Sequence, residues 1–298
     1  MSARPSSLDL ALLVLLAFIW GSSFTVIKVV VKDIPPLSLT AMRIAVAAVV
    51  LAAAARLLGQ RWPQGWRTWA WITAAGLTGN VLPFSLISWG EERIDSGLAA
   101  IYIAIVPIAT LVLAHYFTRD ERFTWRKLAG VTLGFSGILV LVGPRALLHL
   151  DEYVLRQLAV ALAAVSYAVN TLIVKRLSGV RPVAMAAAIM TVSALVLVPV
   201  ALWCDGPVDP PVPSIVWAVV LGVVHTAAAT LIMFFVVRRA GAAFFSMINF
   251  LIPVIGYLLG VALLGEALSP RAIAALALIL AGIYVSAGRA GKPAADGH

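Results

Sequence analysis

The chain has 298 residues, of which 62% are apolar and only 12% are charged, and it carries a net charge of +9. A soluble domain has roughly a quarter charged residues, so this composition excludes one aqueous core and favours a lipid bilayer as solvent. The positive charge alone could suggest nucleic-acid binding, but the placement of the charges argues against it.

Ten stretches without charged residues follow one another along the chain. A membrane-spanning helix needs about 20 apolar residues, with a range of about 17–25. Nine stretches reach that length, and the second does so when it is extended past Arg43 to the Pro35-Pro36 turn. The first is not expected to be a cleaved signal peptide, because it is long and follows Asp9. The sequence therefore predicts an all-α integral membrane protein with ten spans, built on residues 10–27, 44–55, 68–90, 96–118, 128–144, 157–174, 182–204, 210–237, 240–265 and 272–288.

The positive charges predict the orientation of these spans. With the N-terminus in the cytoplasm, fifteen Lys and Arg residues fall in cytoplasmic segments and six on the opposite side. Cytoplasmic loops of membrane proteins carry such an excess. We therefore expect a multi-pass protein of a bacterial inner (cytoplasmic) membrane with both termini cytoplasmic, and no nucleic-acid partner.

The second half of the chain repeats the first. Five spans per half is an odd number, so the second copy must be inverted, a construction typical of secondary transporters that work by alternating access. We expect a first repeat at 1–147, a second at 148–290 and a short cytoplasmic tail at 291–298. The pairs that carry the repeat include Trp20 and Tyr167, Lys28 and Lys175, Trp71 and Trp217, Gly76 and Gly222, Pro107 and Pro253, and Glu121 and Glu266, which are 145 to 147 residues apart.

Longer motifs carry a family resemblance over nearly the whole chain. They are "FIWGSSFTVIK" in span 1, Arg43 in span 2, "GLAAIYIAIVPIATLVLAHYFTRDERFTWRKLAGVTLGFSGILV" in spans 4 and 5, and its echo "GAAFFSMINFLIPVIGYLLGVALLGEALSPRAIAALALILAGIYV". The chain resembles the EamA family of the drug/metabolite transporter superfamily, and within it the YddG-like exporters of aromatic amino acids. The resemblance implies two EamA repeats and export of small metabolites. The second half departs from the first in having Met190 where the first has Arg43.

Polar residues inside a bilayer are costly, so they should face a cavity or another helix. The distribution of polar residues among the spans predicts that spans 1, 3, 4, 6, 8 and 9 surround the transport route and that spans 2, 5, 7 and 10 are scaffold. Small residues in spans 5 and 10, Gly130-xxx-Gly134 and Ala277-xxx-Ala281, should allow close packing. The candidate substrate-cavity residues are Trp20, Ser23, Asn80, Phe84, Tyr102, Tyr167, Asn170, His225, Phe245 and Asn249.

Several of these residues have two interpretations. Asn80 and Asn249 could contact substrate or bond neighbouring helices, while His115 and His225 could relay protons or bond a backbone carbonyl. Lys28 and Arg43 could snorkel or bind a substrate carboxylate, and structural roles are favoured. Glu121 and Glu266 are expected to cap helices. The prolines that break helix bonding, Pro83, Pro107 and Pro253, are hinge candidates or static bends.

The pattern favours a secondary transporter without ATP hydrolysis, cofactor or metal, because no nucleotide loop or metal-ligand spacing is present. No Asp or Glu lies centrally in a span, so transport should be facilitated or coupled through His115 or His225. The aromatic candidates, which also include Trp89 and Tyr257, suit a small amphipathic substrate such as an aromatic or hydrophobic amino acid. The alternatives are a multidrug efflux carrier and, less favoured, a membrane enzyme or a channel. The chain is expected to act in the bilayer on a small-molecule substrate, as a monomer or weak dimer.

Overall fold

The fold is taken from a computed structural model that describes residues 6–117, 124–142 and 151–287. These residues form thirteen α-helices. They are α1 (Ser7–Val30), α2 (Pro36–Leu57), α3 (Trp66–Gly76), α4 (Leu82–Glu91), α5 (Ser96–Ile103), α6 (Val106–Phe117), α7 (Trp125–Val142), α8 (Glu152–Val174), α9 (Pro182–Cys204), α10 (Val212–Gly222), α11 (Ala229–Phe245), α12 (Ile248–Leu264) and α13 (Pro270–Ala287).

The thirteen helices make ten spans, which confirms the predicted fold class. Span 3 is α3 and α4 joined by a π-helical segment, Leu77–Val81, and span 8 is α10 and α11 joined by another, Val223–Ala228. Span 4 is α5 and α6, and Gly241, at φ 85°, turns the chain within α11 from span 8 into span 9. Seven continuous helical stretches in the described ranges, some of them made of two of these helices, are long and apolar enough to cross a membrane, and Ile248–Leu264 and Pro270–Ser286 are shorter apolar helices.

Local signals in the sequence place the helix starts. The side chain of Ser6 accepts a hydrogen bond from the Asp9 backbone while Asp9 bonds back to Ser6, which makes a capping box before α1. Asp151 accepts from the Val154 backbone at the start of α8. Prolines occupy the first turns of α2, α9 and α10, where their missing N–H group costs nothing.

The two halves are inverted copies. The amine of Lys28, near the end of α1, lies 2.8 Å from the carbonyl oxygen of Glu91, and Glu152, at the start of α8, bonds Arg93 two residues further on. The first helix of one half therefore ends where the first helix of the other begins. We name this side of the bundle the Glu91 end. The opposite side is the Asp9 end, where Asp9 and Arg239 form a 2.8 Å ion pair.

The repeat extends to the irregular segments. Helices α3 and α10 have bounds that differ by the same 146 residues, and a π-helical segment follows each of them. A π-helical turn is rare and usually marks a functional position. Its presence at the same place in both copies shows that the irregularity belongs to the repeated unit.

Repeat-related spans pack against each other, α2 along α9 and α7 along α13. A Cβ atom on Gly282 would lie 2.6 Å from the backbone oxygen of Gly130 and 2.7 Å from the nitrogen of Gly134, so α7 and α13 touch backbone to backbone. The predicted close packing through Ala277-xxx-Ala281 is wrong. Ala277 and Ala281 are exposed, because the contact face of α13 is offset from them.

The outer surface of the bundle is apolar. Large hydrophobic side chains stand exposed on several spans, including Phe18, Val49, Leu195 and Leu263. So much exposed apolar surface would be unfavourable in water and is matched by lipid tails. Trp62 and Trp69 stack with centroids 6.3 Å apart in the segment between spans 2 and 3, as expected of interfacial anchors.

Candidate functional site

A cavity of about 390 Å³ lies between the two halves, within the range of roughly 300–1,000 Å³ usual for small-molecule sites. We call it the central cavity. Its wall combines aromatic and aliphatic side chains with a few polar groups, and it draws on spans 1, 2, 3, 4, 6, 7, 8 and 9. The residues that line it are Trp20, Ser23, Phe24, Ile27, Arg43, Gly79, Asn80, Phe84, Ile87, Ile103, Val106, Tyr167, Asn170, Thr171, Met190, His225, Thr226, Thr230, Met233, Asn249 and Ile252.

The structure brings eight of the ten candidate residues to this wall and leaves two outside it. Tyr102 is fully buried, and its hydroxyl donates to Gln157 Oε1 at 2.6 Å, so it packs in the core beside span 6. The ring of Phe245 meets that of Trp20 edge-on at 6.2 Å, behind the wall. Trp89 and Tyr257 also lie outside, because Trp89 stacks on Arg156 and Tyr257 accepts a bond from Ser269.

The assignment of spans to route and scaffold needs one correction. Spans 5 and 10 do not reach the cavity, as predicted, but spans 2 and 7 each contribute one side chain, Arg43 and Met190. These two residues are repeat equivalents, 147 positions apart. The same place on the wall is thus cationic in one half and apolar in the other.

Arg43 does not snorkel to the surface. It is only 7% exposed, its Nε donates to Thr226 Oγ1 at 2.8 Å, and its guanidinium carbon lies 4.0 Å from the centre of the Phe84 ring. Within the described ranges no carboxylate forms an ion pair with it. Its remaining N–H groups therefore present an uncompensated positive charge at the cavity wall, suited to an anionic group of a ligand.

The π-helical segment of span 8 aims two polar side chains at the site. His225 Nδ1 lies 3.3 Å from the carbonyl oxygen of Val220, and Thr226 Oγ1 donates to the carbonyl oxygen of Leu221 at 2.9 Å. Both contacts reach five residues back, so the side chains engage carbonyls of the widened turn. The other ring nitrogen of His225 is 3.3 Å from Ser22 Oγ. His225 thus bonds a backbone carbonyl, while His115 packs edge-on against Tyr116 outside the cavity.

The three amides differ in their surroundings. Asn170 accepts a long bond of 3.4 Å from Thr78, and Asn249 donates to the carbonyl oxygen of Ser246 at 3.0 Å. Asn80 is buried at the wall with no hydrogen bond to the residues that the structure describes. Asn80 is therefore the amide most available to a ligand.

The three hinge candidates lie at or near helix irregularities. Pro83 follows the π-helical segment of span 3, Pro107 follows the break between α5 and α6, and Pro253 lies inside α12. In span 9 the helix is interrupted between α11 and α12. This interruption lies about one helical turn earlier than the equivalent interruption in span 4. Hinge motion at these prolines remains a prediction.

Polar contacts between elements seal the Glu91 end. Glu266 accepts bonds from the backbone and hydroxyl of Ser96, each 2.7 Å, and from the Gly97 backbone at 2.9 Å. It thereby caps α5 from the turn between spans 9 and 10, whereas a cap on its own helix was the simpler expectation. Its repeat equivalent, Glu121, lies outside the described residues.

The cavity opens toward the Asp9 end. Lining residues nearest the Glu91 end, Phe24, Ile27 and Ile87, are buried. At the other end Thr171 is exposed and Asn249 is partly exposed. A ten-span bundle of inverted halves around a cavity open to one side is the architecture of a membrane transporter.

The comparisons identify the transporter's family. The chain matches the EamA-like transporter family twice, over residues 8–143 and 155–288, so it belongs to that family and carries two EamA halves. It is a transporter and not an enzyme. A solved crystal structure with 23% identity has the same fold, with a TM-score of 0.67 over 95% of this chain and 98% of the other.

Named relatives span nearly the whole chain. A probable terminal-alkyne amino-acid exporter of Streptantibioticus cattleyicolor is 30% identical over 92% of this chain and 91% of its own length. An uncharacterized transporter of Archaeoglobus fulgidus is 29% identical over 89% and 94%. The uncharacterized inner membrane transporter YedA of Escherichia coli (strain K12) is 26% identical over 89% and 86%.

Proposed function

We propose that this protein exports amino acids with apolar or aromatic side chains, by alternating access of its two inverted halves. The observation that carries the proposal is the buried, unpaired guanidinium of Arg43 on an otherwise aromatic and aliphatic cavity wall. The name of the Streptantibioticus relative, an amino-acid exporter, supports the same substrate class. YddG-like exporters of aromatic amino acids are the group that this reading favours.

The wall offers a separate partner for each part of such a substrate. Arg43 would pair with the carboxylate, because a guanidinium binds carboxylates through two parallel bonds. The amide oxygen of Asn80 would accept from the ammonium group, and Trp20, Phe84 and Tyr167 would pack on the side chain. A neutral drug would leave Arg43 unpaired in a desolvated site, which is unfavourable.

The charge bias along the chain supports the orientation of the exporter. With both termini cytoplasmic, the Asp9 end faces the cytoplasm and the Glu91 end faces outward, so this structure would load substrate from inside the cell. The inner membrane is the expected location, and one relative carries that location in its name. Both access states come from one chain, so we expect a monomer or weak dimer in mass measurements of detergent-solubilised protein.

A counterflow assay tests the substrate class. Proteoliposomes loaded with unlabelled phenylalanine should accumulate labelled phenylalanine, whereas ethidium should not exchange. Trp20→Ala should lower the exchange about tenfold, because it removes a wall that would bury the substrate ring. Trp203→Ala, at an 88% exposed position on span 7, is the matched control. Exchange of ethidium alone would favour multidrug efflux, and dissipation of gradients without exchange would indicate a channel.

A further inference from the structure

Glu91 is a buried carboxylic acid that the proposed transport site does not use. It is the last residue of α4 and is 0% exposed. Neither of its carboxyl oxygens has a hydrogen-bond partner in the part of the chain that the structure describes. By sequence it belongs to a charged turn, Glu91-Glu92-Arg93, and its burial could not be expected from that pattern.

The cation beside Glu91 is engaged elsewhere. The amine of Lys28 donates to the backbone oxygens of Glu91 and Ile94, each at 2.8 Å, and not to the Glu91 carboxyl group. Lys28 therefore caps the end of α4, where helix carbonyls favour a positive charge. A fully buried carboxylate with no hydrogen-bond donor is strongly disfavoured, even on the wall of the small cavity that it shares with Lys28, Lys32 and Arg156. The carboxyl group is accordingly neutral in this conformation.

Charged and titratable groups on the neighbouring spans and turns surround Glu91. Through space, Lys28 acts most strongly on Glu91, followed by Glu266 between spans 9 and 10 and Arg43 on span 2. Partial burial, with a smaller contribution from the Glu266 carboxylate, raises the pKa of nearby Asp95. The other charged or titratable side chains at this end are Lys32 on span 1, Tyr102 on span 4, Glu152, Tyr153 and Arg156 on span 6, and Glu92 and Arg93 beside Glu91 itself.

We propose that Glu91 is the proton-binding site of this transporter, loaded when the Glu91 end is closed and emptied when it opens. Opening that end admits water, the carboxylic acid releases its proton to that water, and Lys28 is then free to pair with the carboxylate. A sodium ion is the less suitable ligand, because the backbone oxygens of Glu91 and Ile94 are already bonded to an ammonium group. The site occurs once, since the repeat equivalent of Glu91 is Val237.

This inference deepens the proposed function by naming a coupling ion, but its test needs no transported substrate. In a Cys204→Ser background, Ile94→Cys places a reporter at a 0% exposed position of the closed end. Its rate of reaction with a membrane-impermeant maleimide is measured in detergent between pH 6 and pH 8.5. The unmutated chain, whose native Cys204 is exposed at the same end, is labelled in parallel and gives the reference rate that corrects for thiol ionisation. Ile34→Cys is a second reporter should the first variant fail to fold.

The expected result is a reporter rate, relative to Cys204, that rises with pH as the closed state loses its proton. One linked proton allows a change of at most about tenfold per pH unit. In Glu91→Gln, which keeps the side chain neutral, the ratio should stay low at every pH. In Asp209→Asn, a matched control on an exposed carboxylate at the same end, the rise should persist.

Three outcomes would overturn the proposal. They are a ratio independent of pH with Glu91 intact, an unchanged rise in Glu91→Gln, and loss of the rise in Asp209→Asn. If phenylalanine fails to exchange in the counterflow assay while the pH-dependent ratio is present, the substrate assignment fails and the proton site stands.

Discussion

The guanidinium of Arg43 is held from two sides before any ligand arrives. Thr226 fixes its Nε and the Phe84 ring lies against its face, so little side-chain freedom would be lost on binding a carboxylate. A bidentate pair also needs the planar fork of arginine, which lysine does not offer.

Arg43→Met tests this role with the residue that the chain itself uses at the equivalent position. Charge-assisted hydrogen bonds contribute about 1.5–3 kcal/mol, so KM for phenylalanine should rise about tenfold to a hundredfold. The KM is measured from the initial rate of phenylalanine uptake into proteoliposomes. Arg43→Lys should retain part of the affinity, and binding of phenethylamine, which lacks the carboxylate, should not weaken. An unchanged KM for phenylalanine would assign Arg43 to structure alone.

At the scale of elements, spans 5 and 10 form a rigid pair set apart from the cavity. The glycines of α7 and α13 remove side chains from their crossing, so even one methyl group must separate the helices. The contact lies far from the transport route, and its disturbance should affect stability before activity.

We expect Gly282→Ala to lower the melting temperature by several degrees, because overpacking a tight contact costs about 1–3 kcal/mol. Ala281→Leu, on the exposed side of the same helix, should leave the melting temperature nearly unchanged. Thermal unfolding in detergent, followed by size-exclusion chromatography, compares the two. Equal shifts would mean that the crossing of α7 and α13 is not as close as described.

Over the whole molecule, contacts between elements distinguish the two ends of the bundle. Glu266 joins the turn between spans 9 and 10 to the start of span 4, and Arg156 of span 6 bonds Glu92 and the Trp89 carbonyl of span 3. Opening the Glu91 end would break such contacts. The sealed state is therefore stabilised by a small number of identifiable groups.

Glu266→Ala should shift the population toward the state open at the Glu91 end, because Ser96 and Gly97 lose their acceptors. Spin labels at Lys32 and Leu268, both exposed at this end, would report a second, longer distance by pulsed electron resonance. Asp209→Ala, on an exposed side chain at this end, is the control for a general loss of negative charge. Identical distance distributions in Glu266→Ala and the unmutated chain would show that the Glu266 contacts do not hold this end closed.

Charge spacing was sufficient to predict the spans, because within the described residues the interruptions of the apolar runs fall in or near turns, with Arg43 in α2 as the exception. Individual side chains were less predictable. The sequence left it open whether Arg43 snorkels to the surface, and only its packing against Phe84 and Thr226 places it at the cavity wall. Glu91 looked like a loop residue because two charged neighbours follow it. Tyr102 and Phe245 share their helices with cavity residues but point elsewhere, a rotation that composition does not encode. The π-helical segments have no sequence signature that we recognised.

The single-copy charges on a duplicated backbone have a consequence for directionality. Two superimposable halves would give inward- and outward-facing forms of nearly equal free energy, and such a molecule would have no preferred resting state. Arg43 corresponds to Met190 in the other half and Glu91 to Val237, so the charges of the two halves differ although their backbones are alike. If Arg43 and Glu91 act as proposed, the polarity of the transport cycle resides in these two side chains, and exchanging each with its repeat equivalent should reverse it.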